Sequence, residues 1–219
     1  CEAIGAKVAS KYVGGLSEFG VFSFDFGKMI TTGEGGALFT KRRSDGKNAR
    51  MYHDHGHKNI SNLPRGLDRA GLVGFNYRMT EISGAFGKVQ LGKFPRILKD
   101  SKKRYLTLAK YIKHNEIKFR NINKGNEPNY DTFVISIANK KLRNRVISLL
   151  HKTGFGTKNL PDAFNWHCAY FWEHFDKNIR NKEVTSCYDR LLNCVAIPIL
   201  VSRPIIDYKN IASYINECS

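Results

Sequence analysis

Apolar and polar side chains alternate over residues 21–26, which predicts a β-strand because successive strand residues point to opposite faces. A glycine ends this strand, a glycine-rich turn covers residues 30–36, and residues 37–39 predict a short return strand. Residues 41–53 are compatible with a helix, whereas residues 54–75 contain scattered Gly, Asn and Pro and predict a loop. The first half therefore offers too few strands for a complete sheet.

Apolar residues at helical spacing follow Thr80, whose side chain can cap a helix. Pro95 has no backbone N–H, so this helix is expected to end or kink near Lys93. A second helix then runs to about Lys113. Residues 121–129 are polar and contain Gly and Pro, which is typical of a linker.

The rest of the chain alternates strands and helices. The pattern predicts a strand over 132–138, a helix over 141–152, a strand over 194–200 and a helix over 205–215. Such an order is typical of a small α/β unit.

The charge balance is the unusual feature of the composition. The chain has 36 Lys and Arg against 19 Asp and Glu, a formal charge of +17. Such a balance suits nucleic acid, an acidic membrane surface or an anionic small molecule. The densest basic clusters, residues 102–104 and 140–145, lie in predicted helices without a nucleic-acid-binding motif, so solvated helix faces explain them. A basic nucleic-acid-binding protein stays an alternative that rests on charge alone.

The cysteines and the hydropathy pattern indicate a cellular compartment. Five cysteines form no Cys-x-x-Cys pair and leave an odd one, which favours free thiols in a reducing environment. No apolar run reaches the roughly 18 residues of a membrane span, and no signal-peptide pattern is present. We expect a cytoplasmic protein with no membrane partner. The chain starts with Cys1, not Met, so we expect a piece of a longer protein.

A lysine next to the first predicted strand is the sharpest chemical feature. Lys28 follows Phe22, Phe24 and Phe26, and apolar surroundings lower the pKa of an amine by desolvating its charged form. A neutral amine is the nucleophile that forms a Schiff base with an aldehyde such as pyridoxal phosphate. The hydroxyl of Ser23 is placed to donate to a phosphate. A lysine stem packed beside an ordinary turn explains the same spacing, so the residues alone leave both interpretations open.

Other cofactor sites have little support. Neither a Walker loop nor Gly-x-Gly-x-x-Gly is present, which excludes those routes to nucleotide binding. Residues 53–57 contain three histidines, but three histidines within five loop residues lack a closed ligand set. We therefore predict no metal site.

Three sequence blocks, in order over residues 1–91, resemble the DegT/DnrJ/EryC1/StrS family of pyridoxal-phosphate-dependent sugar aminotransferases. The blocks are CEAIGAK (1–7), FSFDFGKMITTGEGG (22–36) and GFNYRMTEI (74–82), the last followed by Gln90-Leu91. The remainder matches more loosely, through Trp166-His167 and Ala196-Ile197-Pro198.

The resemblance implies an α/β fold of the aspartate-aminotransferase type, known as fold type I. Residues 1–94 would be the C-terminal part of the large pyridoxal-phosphate-binding domain. Residues 95–219 would be a small C-terminal α/β domain.

The resemblance also implies cofactor contacts. Lys28 matches the lysine that holds the cofactor as an internal aldimine and then moves the proton between substrate and cofactor. Ser23 matches a serine that binds the cofactor phosphate. Asn76 matches an asparagine that reaches the phosphate of the neighbouring subunit, so a homodimer with a shared active site is implied. Glu2 stands near the pyridine ring where the family usually has Gln or His, which leaves its role open.

Substrate contacts follow in the same way. His167 resembles a histidine that lines the sugar pocket, and Tyr77 and Arg78 of the third block are assigned to the substrate as well. Residues 24–28, 53–57 and 160–167 resemble the branch that makes an 8-amino-octulosonate for lipopolysaccharide. The perosamine and scyllo-inosose branches share most of these residues.

The implied reaction moves an amino group from an amino acid such as L-glutamate to a carbonyl of a sugar. The sugar would be a nucleotide-sugar or a 3-deoxy-octulosonate used in cell-surface polysaccharide or lipopolysaccharide synthesis. The family's Glu-Asp pair, whose Asp contacts the pyridinium nitrogen, would lie before Cys1. We therefore also keep open an inactive fragment of such an enzyme, which binds the cofactor poorly on its own.

Overall fold

The computed structural model describes residues 1–69, 71–174 and 182–218. The chain forms two compact units, each made of two stretches of sequence: Cys1–Ile97 with Asn123–Asn129, and Leu98–Ile122 with Tyr130–Ser219. None of the helices within the described ranges combines the length and the apolar character needed to cross a membrane.

The first unit contains short strands, one helix, a 3₁₀ turn and the start of a long helix. In chain order its described elements are β1 (Lys7–Val8), β2 (Lys11–Tyr12), β3 (Phe19–Ser23), β4 (Gly36–Thr40), α1 (Arg43–His53), the 3₁₀ turn (Arg65–Leu67) and α2 (Glu81–Tyr111), which continues into the second unit. The strands pair as two antiparallel hairpins, β1 with β2 and β3 with β4.

The β3–β4 hairpin places the loop that carries Lys28. Its strands pair from Phe19 opposite Thr40 to Ser23 opposite Gly36. A Cβ at Gly36 would lie 2.7 Å from the carbonyl oxygen of Phe22, so the strands approach each other more closely there than a larger residue permits.

The strand β3 ends earlier than the alternating pattern over residues 21–26 predicts. The backbone N–H of Asp25 donates to Ser23 Oγ at 3.3 Å, and that of Gly27 donates to Asp25 Oδ1 at 2.6 Å. These side-chain bonds offer the backbone an alternative to the strand ladder and form a turn. The expected strand over 21–26 therefore stops at Ser23.

The long helix α2 corrects a second expectation. It runs through Pro95 as one helix of 31 residues. Of the expected end or kink near Lys93, the end is therefore wrong, and the second helix expected after it is the continuation of α2. Proline leaves the carbonyl of Leu91 without its helical donor, and both residues are exposed, so water can take the place of that donor. At the other end, Thr80 Oγ1 accepts from the Ser83 N–H at 3.1 Å, which confirms the expected cap.

The second unit contains a three-stranded antiparallel sheet in the order β5-β6-β7. Its described elements after α2 are β5 (Ile117–Phe119), β6 (Thr132–Ile137), α3 (Lys140–Lys152), α4 (Phe164–His167), a 3₁₀ turn (Ala169–Phe171), α5 (Lys182–Leu192), β7 (Cys194–Pro198) and α6 (Ile205–Asn216). The Asn139 side chain caps α3 by accepting from the N–H groups of Lys141 and Leu142. The predicted strands and helices at 132–138, 141–152, 194–200 and 205–215 are all present within a few residues.

The second unit has a continuous apolar core. Leu108, Phe133, Ile135, Ile197 and Tyr208 are members of this core and are almost completely buried. The alternation of buried residues in β6, the continuous buried run in β7 and the helical spacing of apolar residues in α3 explain why these elements were predictable.

The segment expected as a linker is bound to the first unit. The backbone N–H of Lys7 donates to the carbonyl of Glu127 at 2.7 Å, and Glu127 returns a bond to Lys7 at 2.9 Å. Residues 123–129 are therefore held by β1. The expectation of a free linker is wrong for these residues.

Candidate active site

Lys28 lies in the loop between β3 and β4 and faces two carboxylates. Its Nζ donates to Glu2 Oε1 at 2.7 Å and lies 3.6 Å from Asp25 Oδ2. The side chain of Lys28 is 20% exposed. Phe26, which the sequence placed among its apolar neighbours, is 83% exposed.

The surroundings of Lys28 correct the expected direction of its pKa. The hydrogen bond that Lys28 donates to Glu2 raises the pKa of Lys28 above its ordinary value. Partial desolvation acts the other way, but the charges of Glu2 and Asp25 add to the increase. The prediction of an amine made neutral by apolar surroundings is therefore wrong, because the ammonium has anionic partners that the strand pattern did not show.

Glu2 reaches Lys28 because its backbone is held in the first unit. The N–H of Ser23 donates to the carbonyl of Cys1 at 3.2 Å, next to the end of β3. The amide nitrogen of Asn129 donates to the carbonyl of Glu2 at 2.5 Å. These contacts come from residues far apart in sequence and bring Glu2, Ser23 and Lys28 to one turn.

Ser23 is the last residue of β3 and lies in the same turn as Lys28. Its Oγ accepts the N–H of Asp25, and accepting a bond does not use the hydroxyl proton. The hydroxyl is therefore able to donate to an anionic oxygen.

Asn76, Tyr77 and Arg78 form a second cluster, at the C-terminal end of α1. Backbone bonds join residues 75–77 to residues 52–55, including Tyr77 N–H to the carbonyl of His53 at 2.9 Å. A Cβ at Gly74 would lie 2.6 Å from the carbonyl oxygen of Tyr52, so this pairing requires glycine there.

The side chains of this cluster also contact one another. Arg78 Nε donates to Asn76 Oδ1 at 3.1 Å. The Tyr77 ring stacks on the Phe75 ring with centroids 5.7 Å apart. Tyr77 and His53 line a cleft of about 650 Å³ along β3 and β4.

A buried carboxylate fixes this cluster, and the sequence analysis missed it. Asp54 forms ion pairs with Arg65 and, at 3.4 Å, with Arg78, and it accepts from Asn59 Nδ2 at 3.2 Å. Burial alone would raise the pKa of Asp54, but the bonds from Asn59 and Arg65 and the two arginine charges outweigh it and lower the pKa. An acidic residue at the start of a loop that also contains arginines was the available signal.

His167 lies in the second unit, where it is the last residue of the four-residue helix α4. Its backbone N–H donates to the carbonyl of Ala163 at 3.1 Å. The neighbouring Trp166 is 80% exposed. The role of His167 in a sugar pocket stays a prediction.

The loop histidines have other contacts. His53 Nδ1 lies 2.5 Å from the carbonyl oxygen of Arg50, and His57 Nδ1 lies 4.0 Å from Asp68 Oδ2. Within the described ranges, no three or more His, Cys, Asp and Glu side chains are grouped so that they could hold a metal ion.

The sequence motifs that supply both clusters recur in known proteins. A family model described as the DegT/DnrJ/EryC1/StrS aminotransferase family matches residues 1–203. The chain belongs to this family. The resemblance seen in residues 1–91 is confirmed, and the match to this DegT/DnrJ/EryC1/StrS family extends through most of the second unit.

Two similar family members are transaminases or synthases of nucleotide-linked amino sugars by name. The UDP-4-amino-4,6-dideoxy-N-acetyl-beta-L-altrosamine transaminase of Helicobacter pylori is 33% identical over 115 residues, which cover 52% of this chain and 29% of the relative. The GDP-perosamine synthase of Caulobacter vibrioides is 39% identical over 90 residues, which cover 41% of this chain and 23% of the relative.

A solved structure confirms the fold. PseC of Helicobacter pylori, an aminotransferase involved in the biosynthesis of pseudoaminic acid, matches with a TM-score of 0.77 and 22% identity over 99% of this chain. The expected α/β fold of the type I class is therefore confirmed. This chain spans 57% of the PseC chain, so it corresponds to only part of these relatives.

The cofactor expectation is confirmed for the family. The DegT/DnrJ/EryC1/StrS aminotransferases depend on pyridoxal phosphate. An amine and a hydroxyl in one turn, at Lys28 and Ser23, are the groups that an aldehyde and a phosphate require. The chemistry of these side chains fits the cofactor.

Proposed function

We propose that this chain is part of a pyridoxal-phosphate-dependent aminotransferase that acts on a sugar carbonyl. The observation that carries the proposal is that Lys28 lies in the loop that follows β3, where Asp25 bonds both to the Ser23 hydroxyl and to the backbone N–H of Lys28. The family match over residues 1–203 supports it.

Lys28 and Ser23 would hold the cofactor, and Asn76 would contact the phosphate of a partner subunit in a homodimer. When bound, pyridoxal phosphate supplies an aldehyde that condenses with amines and a ring that accepts an electron pair. Lys28 Nζ, once free of that aldehyde, would take the proton from the amino-acid α-carbon and return it at the end of the transfer.

Arg78 and Tyr77, which belong to the second cluster, would bind the substrate. Arg78 is oriented by Asn76 and Asp54, so its guanidinium is held in place before an anionic group arrives. The Tyr77 ring lines the cleft along β3 and β4 and offers an apolar face to a sugar. His167 is proposed, from the family resemblance, to contact the sugar as well.

The substrate we propose is a nucleotide-linked keto sugar, with L-glutamate as the amino donor. The two relatives named above act on UDP- and GDP-linked sugars according to their names, and the charge of +17 favours a diphosphate. A 3-deoxy-octulosonate is the second candidate, since residues 24–28 and 53–57 resemble that branch of the family. Such amino sugars enter cell-surface polysaccharide or lipopolysaccharide.

The proposed compartment is the cytoplasm. All five cysteines are free thiols, and two of them, Cys1 and Cys187, are exposed to solvent, where an oxidising environment would reach them. Exposed thiols persist as such in a reducing compartment.

The visible absorbance of the protein mixed with pyridoxal phosphate tests this proposal. The wild-type chain is expected to show the absorbance band of a lysine Schiff base, and Lys28→Ala is expected to lose it. Lys41→Ala is the matched control, because Lys41 follows β4, is exposed and donates from its Nζ to the backbone carbonyl of Leu16. A band that persists unchanged in Lys28→Ala would contradict the proposal, whereas a wild-type chain that shows no band supports the inactive-fragment alternative.

A further inference from the structure

The contact between Glu2 and Lys28 has the geometry of a strong ion pair. The distance of 2.7 Å between Glu2 Oε1 and Lys28 Nζ is typical of a charge-assisted hydrogen bond. The Glu2 side chain is 44% exposed and that of Lys28 is 20% exposed, so solvent screens the pair only in part.

Two carboxylates, those of Glu2 and Asp25, face Lys28, and they differ in whether they also shape the turn that carries the lysine. Asp25 Oδ2 lies 3.6 Å from Lys28 Nζ, while the other oxygen of Asp25 accepts the Gly27 N–H and shapes the turn. Glu2 directs its Oε1 at the amine and is carried by a separate stretch of chain. Glu2 can therefore leave the amine without breaking the turn, whereas Asp25 cannot.

We propose that Glu2 is a positioning residue that holds Lys28 as an ammonium and must release it before Lys28 can react with an aldehyde. This inference rests on the proposed function, because it concerns the reactivity of the Schiff-base lysine. Glu2 stands where the family usually has Gln or His, and the inference assigns a role to this difference.

The chemistry follows from the proton on Nζ. An ammonium has no lone pair, so the Lys28 Nζ must first lose a proton to solvent. The free lone pair then forms the new C–N bond, the carbonyl oxygen leaves as water, and no oxidant or reductant is consumed. Glu2 remains a carboxylate throughout and acts by favouring the charged form of the amine, in the direction in which the pKa of Lys28 is shifted.

The reaction of lysines with acetic anhydride tests the role of Glu2 without any cofactor. The rate at each lysine, measured by peptide mass spectrometry between about pH 7 and pH 11, reports the free-amine fraction. In Glu2→Gln the acylation of Lys28 near pH 8 is expected to be about fivefold faster than in wild type, as for a partly exposed ion pair. Glu2→Asp, which keeps the charge, is expected to restore a slower rate.

Two controls make the outcome specific. Glu127→Gln removes the partner of Lys7, at 3.8 Å, and is expected to leave the Lys28 profile unchanged. The profile of Lys41 in Glu2→Gln reports whether the first unit keeps its structure, since Lys41 binds the Leu16 carbonyl. If the acylation profiles of all lysines change together in Glu2→Gln, that variant has lost structure and Glu2→Asp is compared with wild type instead. A Lys28 profile in Glu2→Asp that equals the wild-type profile supports the role of the Glu2 charge.

A Lys28 profile that is the same in wild type, Glu2→Gln and Glu2→Asp would overturn the inference. Acylation needs no pyridoxal phosphate, so that result would not bear on the proposed aminotransferase function, which the absorbance experiment tests separately. The failure of one proposal is thus distinguishable from the failure of the other.

Discussion

The surroundings of Lys28 are set by residues that lie near it in space but not in sequence. Lys28 and Ser23 share one turn, and a local pattern was enough to find both. Glu2 lies 26 residues earlier and is placed by Cys1 and Asn129, so no local rule predicts its contact. The sequence pattern therefore pointed to Lys28, whose role as the Schiff-base lysine stays a prediction, whereas the carboxylates that set the direction of its pKa required the fold.

Asp54 illustrates the same limit in the second cluster. Its partners Arg65 and Arg78 lie 11 and 24 residues later along the chain, counted from their positions in the sequence. The motif around Asn76 identified the segment, but not the carboxylate that orients it. Buried ion pairs depend on tertiary contacts that periodicity does not encode.

Asp54 predicts an acid-dependent loosening of its loop. Because the pKa of Asp54 is lowered in the folded chain, its contribution is present above its unfolded pKa of about 3.9 and is lost as the pH falls through the folded pKa. The protection of the amides of residues 75–78 against hydrogen exchange, taken relative to the intrinsic rate at each pH, is expected to fall over that acidic range in wild type. In Asp54→Asn this protection should be low at neutral pH already and change little with acid.

Asp45→Asn is the control for this experiment. Asp45 lies in the first turn of α1 and pairs with Arg42, whose side chain is 64% exposed. The Asp45→Asn variant is expected to leave exchange at residues 75–78 as in wild type. Equal acid dependence in Asp54→Asn and wild type would argue against a role of Asp54 in holding the segment.

At the scale of elements, the predictable parts are those with a buried apolar face. The strand β6 alternates partly and fully buried residues, and α3 buries Leu142, Val146 and Leu150 at helical spacing. The three-residue strand β5 is too short to show a period, and it was not predicted. The end of β3 depended on the side-chain bonds of Ser23 and Asp25, which compete with the ladder.

Pro95 leads to a prediction about α2. A proline inside a helix costs about 3 kcal/mol relative to alanine, because it removes one backbone bond and crowds the preceding turn. Pro95→Ala is expected to stabilise α2 by about 1–3 kcal/mol and to slow amide exchange around residues 96–99. Denaturant titration and hydrogen exchange would measure the two effects.

Lys99→Ala is the matched substitution, since Lys99 is exposed on the same helix and already a good helix former. It is expected to change stability by less than about 0.5 kcal/mol. A Pro95→Ala variant no more stable than Lys99→Ala would show that α2 has adapted to its proline.

At the scale of the whole molecule, the two units differ in how much apolar surface they bury. Among the described residues of the first unit, Ile30 is the only apolar side chain that is buried. Val21, Leu38 and Ile82 of that unit are each more than half exposed. The second unit has an extensive core, and burial of apolar side chains is the main source of stability. We therefore expect the second unit to be the more stable.

This difference matters for the candidate site, because Lys28, Glu2, Asn76 and Arg78 all belong to the first unit. Local opening costs least where few apolar side chains are buried. We therefore expect the unit that carries the proposed chemistry to be the less stable of the two, and a cofactor that binds only its folded form would stabilise it.

The most direct test of the central claim is to map the lysine that forms a Schiff base with pyridoxal phosphate. Borohydride reduction fixes such an adduct, and peptide mass spectrometry then locates it. We predict that the adduct is concentrated on the peptide that contains Lys28. An adduct spread over exposed lysines such as Lys41, with Lys28 labelled no more than they are, would contradict it.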